Sequence, residues 1–185
     1  MPETPRAGSL AQFFDRLVRR SLADLVLGGD AVAPYLTRLL TRFVRTDQLY
    51  ALRDAAGRRL ESVVELLIEA ERSWAFDAPD FNPFREREFR QHIGDFTLFM
   101  SGIFPEHVAR RASVAFYVRE GKRAYEVVAD FERSALRPDA RLFAALAAGF
   151  EQYAAALRYM KRVYLRPEGT PPGLQPSLSL LTGLD

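Results

Sequence analysis

The segment from Phe84 to Phe104 places a histidine, an aspartate and two glycines inside a run that is dominated by aromatic residues. At the 100° per residue of an α-helix, the apolar residues of this run share one broad face with His92, and Asp95 lies along its flank. The apolar members of this face are Phe89, Phe96, Phe99, Met100 and Ile103. Because a polar group in such surroundings needs a partner, the segment predicts a buried helix with internal polar contacts.

Most of the remaining chain shows the same helical spacing, and no segment alternates apolar and polar residues as a half-buried strand does. Ser9 and Gln12 have the spacing of a capping box at the start of the first helix. We expect Gly57 to bend or divide the third helix, and we expect residues 106–135 to form one or two helices. The predicted helices span residues 10–27, 31–45, 47–75, 84–104, 106–135 and 139–165.

A chain of 185 residues that is 48% hydrophobic can enclose one substantial core, and nothing in its middle resembles a linker between domains. We therefore predict an all-α, single-domain bundle of about six helices, packed around a central buried helix at residues 84–104. The predicted domain spans residues 1–166.

The character of the chain changes after Leu165, where prolines and glycines become frequent. We predict an extended C-terminal tail over residues 167–185. Its leucines make it more apolar than a solvated linker. Three arrangements stay open: the tail lies across its own domain, it lies across a partner subunit, or it is a frayed terminus. These leucines are Leu174, Leu178, Leu180, Leu181 and Leu184.

The chain contains no cysteine, which excludes disulfides, cysteine-ligated metals and thiol catalysis, and suits a reducing compartment. Its first residues lack the basic and apolar pattern of a secretory signal, and no apolar run approaches the length of a membrane span. We therefore expect a cytoplasmic protein without a membrane partner.

Basic and acidic residues are nearly balanced, at 26 and 24, and all but Lys122 and Lys161 of the basic residues are arginines. The local excess of arginine in residues 1–60 is spread over several helical turns. It is not interleaved with exposed aromatic residues as in a groove for single strands. The sequence therefore predicts no nucleic-acid partner.

His92 is the first candidate for a metal ligand. Glu88 and Asp95 lie four residues before it and three after it, so the three side chains could project towards one side of the helix. Carboxylate-bridged di-iron bundles use Glu-x-x-His, yet the residues three before His92 and His107 are Phe89 and Phe104. No His-Glu-x-x-His, nucleophile elbow, phosphate loop or dinucleotide pattern is present. We predict no metal site, no cofactor and no catalytic residue, although a histidine among aromatic residues also suits an axial haem ligand.

Tyr117, Gly121 and Tyr125 follow one another at four-residue intervals, so that the glycine leaves a notch between two phenols on one helix face. A second helix with small residues could approach closely there, and Gly94, Ser101 and Gly102 supply such residues. Asp95 could accept a hydrogen bond from a tyrosine hydroxyl or pair with an arginine such as Arg119 or Arg123. Two interpretations stay open. The first is a tight helix crossing with a satisfied polar pair, and the second is a ligand-binding pocket lined by His92, Asp95, Tyr117 and Tyr125.

Two short patterns at these positions resemble those of a group of uncharacterised bacterial all-helical proteins. The first is Gly94-Asp95 followed after five residues by Ser101-Gly102, and the second is Tyr117-x-x-x-Gly121-x-x-Ala124-Tyr125. The resemblance implies a bacterial source and a helical fold. It brings no activity, cofactor or catalytic residue.

The sequence thus favours a non-enzymatic cytosolic protein that binds other proteins and forms a homodimer, with the C-terminal tail as one surface for a partner. The alternative is a small-molecule or haem-binding protein, or an enzyme, with a pocket around His92, Asp95, Tyr117 and Tyr125.

Overall fold

The structure, a computed structural model, describes residues 7–54, 56–74, 82–165 and 174–182. These residues form no strand, and one isolated antiparallel bridge joins Arg53 to Arg59. The prediction of an all-α single domain is confirmed. The helices are α1 (Ala7–Asp24), α2 (Ala33–Phe43), α3 (Thr46–Leu49), α4 (Val63–Trp74), α5 (Pro83–Ile103), α6 (Pro105–Arg111), α7 (Val114–Ser134), α8 (Ala140–Ala148), α9 (Phe150–Tyr164) and α10 (Gln175–Thr182).

The third predicted helix is divided into α3 and α4 by a turn around Gly57. Gly57 has a φ of 80°, which residues with a side chain rarely adopt, and the Asp54 carboxylate accepts two backbone N–H groups of the same turn. Helix α4 then begins with a capping box. The Glu65 N–H donates to Ser62 Oγ at 3.2 Å, and the Glu65 carboxylate accepts the Ser62 N–H at 3.0 Å.

Two further predicted helices are also divided, so the count of about six is not confirmed. Segment 106–135 forms α6 and α7, and segment 139–165 is interrupted at Gly149 between α8 and α9. Ser9 lies inside α1, which begins at Ala7, so the predicted capping box at this position is wrong. The central predicted helix, by contrast, matches α5 to within one residue at each end.

The chain divides into two compact units, and the first comprises Met1–Leu49, Phe99–Ala112 and Glu151–Asp185. Its core combines apolar side chains of α1, α2, the end of α5 and α9. The ring of Phe99 packs edge-on against the rings of Phe43 and Phe104, with centroid distances of 5.4 Å and 5.7 Å. All three rings are fully buried or nearly so, which makes this aromatic group the centre of the unit.

The second unit comprises Tyr50–Leu98 and Ser113–Phe150, and it contains most of α5 together with α4, α7 and α8. Its largest fully buried side chains include Leu66, Ile93, Tyr125, Phe143 and Phe150. From His92 to Ile103, α5 is buried at every residue, including those off the predicted apolar face. The predicted central helix is therefore enclosed all round from His92 onward, while its first part reaches the surface at Phe84 and Glu88.

The described part of the predicted tail is helical. Residues Gln175–Thr182 form α10, so an extended conformation is not confirmed there, and residues 166–173 lie outside the described part of the chain. Leu174, Leu178 and Leu181 are at most 6% exposed within a single copy. These three leucines are thus buried within a single copy, while the predicted boundary of the tail at residue 166 stays a prediction.

Among the helices that the structure describes, none combines the length and the apolar character needed to cross a membrane.

Candidate functional site

Helices α5 and α7 approach each other closely in the second unit because glycine occupies the contact on both helices. A Cβ atom added to Gly94 would lie 2.5 Å from Cε1 of Tyr125. One added to Gly121 would lie 2.5 Å from Cε2 of Phe150 and would also overlap Oγ1 of Thr97. Real Cβ atoms do not approach neighbours so closely, so these two positions require glycine for the observed packing.

The notch at Gly121 is therefore filled by the protein itself. Thr97 lies in it and donates its hydroxyl hydrogen to the carbonyl oxygen of Ile93 at 2.7 Å. Gly102, a small residue further along α5, packs against Ala154 and Leu157 of α9 in the first unit.

Asp95 and Tyr125 form a hydrogen bond across the α5–α7 contact. The Tyr125 hydroxyl donates to Oδ1 of Asp95 at 2.7 Å. Asp95 is 1% exposed and Tyr125 is fully buried. Because a carboxylate loses its hydration at such depth, this hydrogen bond compensates part of the cost of burying it.

His92 and Tyr117 meet through a shared neighbour, Phe96. The His92 ring stacks on the Phe96 ring, with centroids 6.4 Å apart and planes at 29°. The ring centroid of Tyr117 also lies 6.4 Å from that of Phe96. The ring centroid of Tyr50 lies 6.1 Å from that of Phe96. His92 is buried, whereas Tyr117 and Tyr50 are half-buried, so this aromatic group reaches the surface of the unit.

Two contacts connect the four candidate residues to one another or to a shared neighbour. Asp95 pairs with Tyr125, and His92 joins Tyr117 through Phe96. Tyr117 and Tyr125 are eight residues apart on α7, which is about 12 Å along the helix axis. The side chains that fill the Gly121 notch lie between them.

Sequence reasoning missed a buried carboxylate, Glu132, near the end of α7. Glu132 is 1% exposed, and it accepts a hydrogen bond from Arg87 of α5 and lies 3.8 Å from Arg137. Glu132 continues the buried spacing of Tyr125 and Val128 along α7. That spacing alone did not indicate its burial, because a glutamate on a helix is ordinarily solvated.

A second buried carboxylate, Glu86, lies at the start of α5. It is 7% exposed, and its nearest cationic partner is Arg90, with Nε and Oε1 3.4 Å apart. Burial raises the pKa of Glu86 above its ordinary value, and the charge of Arg90 opposes part of that rise.

The first unit holds another tyrosine–aspartate contact, which lies at its surface. Asp24 of α1 accepts hydrogen bonds from the hydroxyls of Tyr159 and Tyr164 of α9, and Arg20 lies over the Tyr164 ring at 4.9 Å. The hydrogen bond to Asp24 raises the pKa of Tyr164. This contact fastens α9 to the end of α1.

No group of three or more histidine, aspartate or glutamate side chains in the described part of the chain is arranged to hold a metal ion. Glu88 is exposed on α5, whereas Asp95 is buried and bonded to Tyr125. The Glu88–His92–Asp95 row seen in the sequence is thus divided between the surface and the interior.

Comparison with models of known protein families, with curated proteins and with solved structures finds no match to this chain.

Proposed function

We propose that the chain is a non-catalytic protein-interaction protein that acts as a homodimer in the cytoplasm of a bacterium. The observation that carries the proposal is the surface of the second unit, where several large apolar side chains stand exposed. Val64 and Ile68 are 54% and 45% exposed on α4, while Phe84 and Leu136 are 64% and 93% exposed elsewhere. Grouped apolar side chains at a surface favour contact with another protein.

The geometry of the α5–α7 contact supports the same proposal. The carboxylate of Asp95, which could otherwise act as a base or a ligand, is bonded to Tyr125 inside the protein. Thr97 and Phe150 occupy the space that the glycine leaves on α7. We therefore assign this contact a structural role, which is to hold α5 and α7 at a fixed short distance.

The cellular location rests on composition. The absence of cysteine suits a reducing compartment, and the two short patterns shared with bacterial helical proteins support a bacterial source.

The alternative function is the binding of a flat small molecule or haem. It is favoured by one observation, the aromatic group of His92, Phe96 and Tyr117, which reaches the surface at Tyr117. A planar ligand could stack on this group.

Native mass spectrometry and an absorption spectrum of one untagged sample, purified from its own host, test both functions. We expect a species of twice the chain mass of 21.0 kDa, without added mass and without a visible band. A 21.0 kDa species that carries a ligand or absorbs visible light would contradict the proposal and favour the alternative. A bare monomer over the whole micromolar concentration range would contradict the homodimer.

A further inference from the structure

The outer face of α7 carries its charged side chains in a segregated order. Four exposed residues of this face follow one another at spacings of four, three and four, which places them in one row along the helix. Two cations come first and two acids follow. We call this set the α7 charge row: Arg119, Arg123, Glu126 and Asp130. From its first to its last residue the row extends about 16 Å along the helix axis.

This order of charges is unfavourable within a single helix. Side chains four residues apart are neighbours on a helix surface, and two like charges at that spacing destabilise the helix. Arg119 and Arg123 form one such pair, and Glu126 and Asp130 form the other. Alternating charges would keep the face equally solvated without either repulsion. The segregated order therefore favours a partner that supplies the opposite charges.

The two central members of the row are available to such a partner. Arg123 and Glu126 are exposed, and neither forms an ion pair with another side chain in the part of the chain that the structure describes. They do not pair with each other, although they lie three residues apart on the same face. Both charges can therefore be neutralised from outside the chain.

The two outer members of the row have only local partners. Arg119 pairs with Glu120, the next residue, and Asp130 pairs with Arg133 one turn further on. The side chains of Arg119 and Arg133 are 68% and 63% exposed. Exposed ion pairs of this kind contribute little to stability, so their exchange for charges of a partner costs little.

The helices beside α7 do not reverse the order of charge in the row. On α5, Arg87 bonds to Glu132, so the exposed Glu88 lies level with the acidic half of the row and adds to its negative charge. On α8, Arg141 in the first turn is the one charged residue, and the other exposed side chains are alanines. The charges that follow Asp130 along the chain are of both signs and lie beyond the end of the row.

We propose that α7 of one copy packs antiparallel against α7 of a second copy through the charge row. This inference rests on the proposed homodimer and names its interface. A two-fold axis between Arg123 and Glu126 sets Arg123 against Glu126 of the partner subunit, and Arg119 against Asp130 of the partner subunit. The axis forms each contact twice, and it requires no surface other than this one helix.

The order of charges also selects the orientation of the two helices. In a parallel arrangement each member of the row would lie against its own copy, so that all the facing charges would be alike. The antiparallel arrangement brings opposite charges together along the whole row. It also places Arg133 level with the half-buried ring of Phe116 of the partner subunit, which attracts a cation. Charged side chains set the orientation of paired helices in the same way in coiled coils.

Two charge-reversal variants test the proposal. The negative variant carries Arg119→Glu and Arg123→Glu, and the positive variant carries Glu126→Arg and Asp130→Arg. Each variant alone brings like charges together in its own dimer. We therefore expect its self-association to weaken by at least about tenfold in sedimentation equilibrium.

Two rescue experiments show whether the pairing is the one proposed. An equimolar mixture of the negative and positive variants restores opposite charges at every contact, so it should form mixed dimers that native mass spectrometry distinguishes by mass. A variant that carries all four substitutions reverses the whole row and should dimerise with itself at close to wild-type affinity. If the two variants weaken association but neither the mixture nor the fourfold variant recovers it, the antiparallel pairing is wrong.

The controls separate this proposal from the proposed function. A variant with Arg16→Glu and Arg110→Glu makes the same change in net charge at exposed positions of the first unit, and it should dimerise like the wild type. A control that weakens association as much as the negative variant would overturn the proposal. If the wild type and both charge-reversal variants dimerise equally well, the interface is wrong and the homodimer stands. A monomeric wild type would overturn both.

The dependence on salt gives an independent test without any substitution. Because the contacts of the row are exposed ion pairs, the dissociation constant of the wild-type dimer should rise by at least about tenfold between 0.05 and 0.5 M sodium chloride. A dissociation constant that stays constant or falls over this range would overturn an ionic interface on α7.

Discussion

At the scale of single residues, the second unit depends on a few buried polar side chains that find partners on other helices. Asp95 pairs with Tyr125, and Glu132 pairs with Arg87. The sequence indicated that Asp95 needs a buried partner and offered a tyrosine hydroxyl or an arginine, without choosing Tyr125. It did not indicate the second, since a glutamate on a helix is ordinarily a solvated residue.

Replacing Tyr125 with phenylalanine is expected to destabilise the protein. The ring stays in place against Gly94, but the Asp95 carboxylate loses a buried hydrogen bond, at a cost of about 1–3 kcal/mol in the free energy of unfolding. Urea denaturation followed by circular dichroism measures this change. Tyr159→Phe is the matched control, because its hydroxyl bonds to an exposed carboxylate, and its effect should be clearly smaller. Equal effects of the two substitutions would show that the buried Asp95–Tyr125 hydrogen bond stabilises the protein no more than the exposed Asp24–Tyr159 one.

Glu86 is expected to make stability depend on pH. Its pKa is raised in the folded protein, so the folded state holds this proton more tightly than the unfolded state does. The favourable contribution of Glu86 to the free energy of unfolding is complete below its ordinary pKa of 4.5. It is lost as the pH rises through the higher pKa of the folded state. The stability of the wild type minus that of Glu86→Gln should therefore fall as the pH increases from about 4 to 7.

Glu65→Gln is the control for this measurement, because the sign should reverse. Backbone N–H groups of Glu61 and Ser62 hold the pKa of Glu65 below its ordinary value. Its contribution is therefore present at neutral pH and is lost on acidification. Parallel pH profiles for the two variants would contradict the assigned environments.

At the scale of helices, glycine decides how closely α5 and α7 pack. The four-residue spacing of Tyr117, Gly121 and Tyr125 predicted a close crossing, and the structure has one. What the spacing did not predict is the occupant of the notch. Thr97 and Phe150 are far from Gly121 in sequence, so only the packing of the unit could bring them there.

Gly121→Ala is expected to destabilise the protein, although alanine favours helix formation. The new methyl group would overlap Thr97 and Phe150, and overpacking of this kind costs about 1–3 kcal/mol, against a gain in helix propensity of about 1 kcal/mol. Thermal unfolding should show a lower midpoint. Gly28→Ala is the control, because a Cβ there meets nothing within 4 Å, and it should leave the midpoint nearly unchanged. A Gly121→Ala protein as stable as the wild type would rule out a tight crossing.

At the scale of the whole molecule, the C-terminal segment has buried leucines in the part that the structure describes. Leu178 and Leu181 are 1% and 0% exposed in a single copy. The leucine content predicted that the tail would be covered. Sequence spacing did not distinguish docking on the same chain from docking on a partner, because both cover the same side chains.

Leu181→Ala is expected to lower the free energy of unfolding by about 2–5 kcal/mol, because it leaves a cavity in a buried site. The loss should be the same at all protein concentrations, as measured by urea denaturation over a hundredfold dilution series. Gln175→Ala, at an exposed position of α10, should have little effect. A loss that depends on concentration would indicate that the tail docks on a second subunit.

The sequence by itself determined the helical fold, the position of the central helix and the glycine at which α5 and α7 approach closely. These features follow from apolar spacing and from glycine, which act over one or two helical turns. Only the tertiary structure decided that Asp95 meets Tyr125 while His92 meets Phe96, that Glu132 is buried, and that the tail forms α10. Each of these depends on a neighbour distant along the chain, whose approach no local pattern specifies.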